Sequence, residues 1–77
     1  MKCLVKLIWD DGFWHSDVLA NTHENVGLTL ESGSLDALVE RVKIALPEML
    51  ELNFGYVGDI KIAYEIERND DIKRIAS

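Results

Sequence analysis

The chain holds one cysteine, Cys3, and one proline, Pro47, in 77 residues. A lone cysteine cannot close an internal disulfide, so no oxidising framework is available, and a reduced, cytoplasmic compartment is expected. Glycine is scarce, no segment is low in complexity and no internal repeat recurs. The apolar opening from Met1 to Trp9 carries Lys2 and Lys6 and runs into Asp10-Asp11. It is too short and too interrupted for a signal peptide or a membrane span. Lysine and arginine are missing altogether from Leu7 through Glu40, where Asp10, Asp11, Asp17, Glu24, Glu31, Asp36 and Glu40 stand. With a net charge of −6, such a surface repels phosphate backbones and excludes direct nucleic-acid binding as a leading function. It can steer a basic protein into contact, or simply keep a small protein soluble.

Signatures of chemistry are missing too. There is no P-loop, dinucleotide fingerprint, Cys-x-x-Cys pair or His-Glu-x-x-His. A zinc site would have to combine Cys3, His15 and His23 with carboxylates, and their spacing favours structural or solvated roles. A degenerate nuclease would need Asp10, Asp11 or Glu40 to hold a divalent metal. Ser16 adjoins His15 and Asp17, but neighbours on a strand point to opposite faces and cannot converge. The expectation is a non-enzymatic protein with no catalytic residues, metal or cofactor.

Nearly half of the residues are hydrophobic, so the chain is not a disordered tail. Cys3, Val5, Leu7 and Trp9 alternate with Lys2, Leu4, Lys6 and Ile8, the period of a strand. Asp10-Asp11-Gly12 is a tight-turn signal, and Phe13 to Leu19 reads as the returning strand of a hairpin. A loop over 20–25 leads to a third strand in which Val26, Leu28 and Leu30 alternate with Gly27, Thr29 and Glu31. Ser34 suits a helix N-cap, with Asp36 in the first turn. Leu35, Leu38, Val39, Val42, Ala45 and Leu46 then recur at helical spacing, with Glu40, Arg41 and Lys43 outside. Pro47 predicts a kink, or a break followed by a short turn through Leu52, and Gly55 a left-handed cap. Asp59 to Glu67 predicts a fourth strand, with Ile60, Ile62, Tyr64 and Ile66 on its dry face. The expected fold is α+β: an antiparallel sheet in the order β-β-β-α-β with one helix on one face. One domain spans 1–67, and 68–77 forms a polar tail or a short helical turn.

One helix covers only one face of a sheet. The other face shows an apolar stripe of Leu4 and Ile8, with Phe13, that nothing in this chain covers. A second copy or a partner is the natural cover. Trp9 and Trp14 bracket the turn, either packing across it or anchoring an interface. Asp10 and Asp11 serve the turn itself. The candidate partner-binding residues are thus Leu4, Ile8, Asp10, Asp11, Phe13 and Trp14, and a homodimer through the Leu4–Ile8 stripe is one expected assembly.

The hairpin Trp9-Asp-Asp-Gly-Phe-Trp14, and the stretch Gly27 to Asn53 with its Gly-Leu strand, capped helix and Leu-Pro-Glu-x-Leu ending, resemble the HicB-like family. The likeness is to a short subfamily placed beside HicB antitoxins and covers about residues 2–66. It implies a partial ribonuclease-H-like fold without a nuclease's metal-binding carboxylates. It also implies a role in binding and blocking a small basic RNase toxin, HicA. Where the family has an Asp-x-Pro-Gly-type approach to its third strand, this chain has Glu24-Asn25-Val26-Gly27, which implies a looser loop. No helix-turn-helix or ribbon-helix-helix follows the fourth strand, so operator binding is not expected. The alternative is a stand-alone, self-assembling protein without a toxin.

Overall fold

In the computed structural model, residues 1–21 and 23–75 are described. Strands β1 (Lys2–Asp10) and β2 (Phe13–Ala20) form the expected hairpin. Its two turn residues, Asp11 and Gly12, have φ of 47° and 89°. Two successive left-handed residues match the twist of the strands they join, which is why Asp-Gly sits there. The register runs from Cys3 opposite Ala20 to Asp10 opposite Phe13. It sends Cys3, Val5, Leu7, Trp14, Val18 and Ala20 to one face, where all are buried.

The predicted third strand is split. Only β3 (Glu24–Asn25) and β4 (Glu31–Ser32) pair with β2. Between them, residues 26–30 span the same stretch of β2 as residues 16–18 alone, so the segment bulges outward. Gly27 supplies the bend at φ 78°, and its N–H donates to Asn25 Oδ1 at 2.7 Å. The alternation still reports burial correctly, since Val26 and Leu28 are in the core. The bulge is sewn to the sheet at Ser16, whose N–H donates to Leu30 O and whose Oγ accepts from Leu30 N–H at 3.0 Å. Ser16 is buried, so Ser16→Ala should strand that amide and lower stability by about 1–3 kcal/mol, measurable by urea denaturation. On the far side, Asn53 Nδ2 donates to Val26 O at 2.7 Å.

Helix α1 runs unbroken from Leu35 to Phe54, through Pro47. Neither a break nor a separate second turn forms. Pro47 lies on the exposed side of the helix, where water can satisfy the carbonyl its missing N–H leaves free. Both caps match their residues. Ser34 Oγ accepts from Ala37 N–H at 3.3 Å, and Gly55 closes the helix at φ 64° with Tyr56 N–H reaching back to Leu50 O. Leu38, Val42, Leu46 and Leu50 are wholly buried and form the stripe that meets the sheet.

Strand β5 (Lys61–Glu67) pairs with β1 in parallel, giving the strand order β3-β2-β1-β5 with β4 also on β2. The sheet is therefore mixed, not antiparallel throughout. The direction follows from the path. β4 ends near the hairpin tip, and a helix of 20 residues spans roughly 30 Å, enough to return the chain to the other end of the sheet. The short connection then enters β5 beside Met1, pinned by Lys61 N–H to Met1 O at 2.9 Å. The Met1 amino group also donates to Tyr56 Oη and Asp59 O. The expected dry face of this strand is dry only at its start. Ile60 and Ile62 are half-buried, but Tyr64 and Ile66 are 40% and 60% exposed. Beyond Glu67, residues 68–75 form no regular element, and the last two residues of the predicted tail lie outside the described residues.

Candidate protein-binding face

The face of the sheet turned away from α1 carries the even-numbered residues of β1 and the odd-numbered residues of β2 and β5. Register places them in rows: Leu19, Leu4 and Ala63; Asp17, Lys6 and Glu65; His15, Ile8 and Glu67; and, at the tip, Phe13 beside Asp10. Leu4 and Ile8 are half-buried by their neighbours, whereas Phe13 is 52% exposed. The face thus carries the apolar row Leu19, Leu4 and Ala63 between the Lys2–Lys61 pair and an acid-flanked Lys6, with Ile8 and Phe13 toward the tip beside the exposed Asp10 and Asp11.

Five of the six residues expected to meet a partner gather here: Leu4, Ile8, Asp10, Asp11 and Phe13. Trp14 does not. It points to the opposite face, is buried in the core, and packs against Trp9 with ring centroids 5.3 Å apart. The reason is parity: Trp14 is one residue from Phe13, and adjacent strand residues face opposite sides. Arg68 lies over the Trp9 ring at 4.9 Å and pairs with Asp70 at 3.1 Å, holding the start of the tail against the sheet. Leu19 and Ala63 complete the upper apolar row and were not expected in it. Leu19 was legible from the alternation of its strand. Ala63 was not, because its place depends on which strand β5 joins and in which direction.

The groups with latent chemistry are dispersed. Ser16 lies in the core, with His15 and Asp17 on the far side of the sheet. His15 Nδ1 sits 3.4 Å from Glu31 Oε1, and His23 Nδ1 sits 2.8 Å from Asn21 O. Among the described residues no three His, Cys, Asp or Glu side chains are placed to share a metal ion. Cys3 is buried in the core, and burial pushes its thiol above the ordinary value. A buried, protonated thiol is a poor nucleophile and behaves as a small apolar side chain. Among the described residues no helix is long and apolar enough to cross a membrane.

Fold and face together describe an α+β domain whose sheet is covered on one side and bare on the other. The family described as Domain of unknown function (DUF1902) matches residues 2–73, and the chain belongs to that family. Neither the curated proteins nor the solved structures contain a match.

Proposed function

We propose that this chain is a non-enzymatic protein-binding module of the HicB-like kind, which holds a small basic protein against its bare sheet face. The observation that carries the reading is the pairing of exposed Phe13 with the acidic tip Asp10-Asp11, beside the Leu4–Ile8 stripe, on the face that α1 leaves uncovered. An exposed aromatic anchor set beside an acidic tip suits a basic partner, with the tip charges speeding encounter and the aromatic supplying the anchor. An RNase toxin is the partner of that chemistry which the HicB-like resemblance supplies, and a cytoplasmic setting belongs to the same proposal.

The test is co-purification with the product of a small basic reading frame adjacent to this gene, together with relief of any toxicity that product causes. Phe13→Asp with Ile8→Asp should weaken binding by on the order of a thousandfold, since central anchors each contribute about 2 kcal/mol or more. Undiminished binding by that variant would remove the face from consideration, and no relief of toxicity would remove the antitoxin role.

A further inference from the structure

The two edges of the sheet are built differently. On the β2 side the edge is broken into two-residue pieces around a bulge, a common way of making an edge unfit for pairing. On the β5 side the edge is seven residues long, with no proline, glycine or bulge. Lys61 N–H donates inward to Met1 O. Along a parallel ladder the backbone groups of Lys61, Ala63, Glu65 and Glu67 therefore turn to β1, while those of Ile62, Tyr64 and Ile66 point outward, where no strand among the described residues pairs with them.

We propose that β5 pairs antiparallel with β5 of a second copy, with Tyr64 on the two-fold axis. This register sets Ile62 opposite Ile66 and Tyr64 opposite Tyr64, all residues with outward backbone groups, as hydrogen-bonded pairs require. It sets Lys61 opposite Glu67, twice, in the closer non-hydrogen-bonded pairs, where opposite charges attract. Ala63 meets Glu65. A two-residue slip one way keeps an attraction, Lys61 opposite Glu65, but adds the repulsion of Glu67 opposite Asp59, and a slip the other way puts Glu65 opposite itself and loses the attraction. The charges of the strand therefore select one register, and it is self-complementary, as an isologous contact must be.

The exposed apolar groups fall where this dimer covers them. Tyr64 and Ile66 stand bare on the edge strand. Continued past the strand, the register sets residues 69–72 of one copy opposite 56–59 of the other. There Pro47, Ile44 and Val57 border an open groove of about 300 Å³, with Ile44 76% and Val57 81% exposed. Ile72 is 90% exposed, and this register directs its segment, with Lys73 and Arg74, toward the side of the partner where Glu48 and Glu51 line the groove. The bare faces proposed above for the basic protein would then form one continuous surface across two copies.

Charge reversal tests the register by sedimentation. Wild type is expected to be a dimer. Lys61→Glu and Glu67→Lys should each weaken it by about tenfold or more, because each creates two like-charge pairs. The double variant, K61E with E67K, restores both attractions and should return to within about threefold of wild type. Lys61 neighbours Lys2 in the monomer, so its reversal removes no attraction from the fold. In wild type, the amides of Ile62, Tyr64 and Ile66 should exchange slowly with solvent at dimer-forming concentration. A monomeric wild type, fast exchange at those three amides, or four proteins of equal dimer strength would each overturn the proposal.

Discussion

Leu46→Ala should lower the stability of this domain by about 2–5 kcal/mol and its melting temperature by on the order of 10–30 °C. Leu46 is wholly buried in the helix stripe formed with Leu38, Val42 and Leu50, and it belongs to the same core cluster as the sheet residues Val5, Leu7 and Val18. Truncation removes its transfer free energy and leaves a cavity, because a single helix anchored at both caps cannot settle deeper into the sheet. A domain of this length holds on the order of 4–12 kcal/mol in total. The loss is therefore a large fraction of what there is, and the variant should be partly unfolded at body temperature. Thermal denaturation followed by circular dichroism measures it. A shift of only a few degrees would mean that the core around Leu46 can collapse.

The second large effect has the opposite sign. Pro47→Ala should raise stability by about 2 kcal/mol. Proline in a helix interior costs about 3 kcal/mol relative to alanine. Proline also restricts the unfolded chain, so its removal gives back up to about 1 kcal/mol. The helix is unbroken through this position and both caps are intact, so alanine can take up the missing hydrogen bond without moving a neighbour. The same denaturation experiment should show a rise of roughly 8–16 °C. Pro47 lines the groove beside β5. A stabilised variant whose dimer is weaker would show that the residue is kept for that surface.

These opposite signs separate what could be read in the residues from what could not. Local rules worked well. The Asp-Gly turn, the Ser34 cap, the Gly55 cap and the burial of every second residue in β1 and β2 were all legible. Each depends on groups a few residues apart. The continuity of α1 through Pro47 was not legible, because it depends on Leu46 and Leu50 being packed against a sheet that the local pattern cannot see. The same holds for the third strand, where alternation of Val26 and Leu28 reported burial but not the missing ladder bonds. The direction of β5 was likewise settled by the length of the helix before it.

At the candidate face the same division holds. Leu4, Ile8 and Phe13 could be placed together from alternation within one hairpin. Trp14 was assigned by type rather than by parity, and parity sends it inward. The exposed upper half of β5 was hidden because four apolar residues in alternation read as a buried row. Only the position of α1, over the hairpin rather than over the edge, leaves Tyr64 and Ile66 bare.

The parallel ladder between β1 and β5 joins the first strand of the chain to the last. Every bond in it closes across the hairpin, the bulge and the whole helix. Such a closure adds loop entropy that local contacts cannot offset early, so it belongs among the late events of folding. During synthesis, which runs from the amino end, the hairpin and helix can assemble while β1 still lacks its second neighbour. The finished sheet then waits on the arrival of Glu67. Until that moment β1 is the open edge of the growing sheet, and the docking of β5 moves that open edge onto β5 itself.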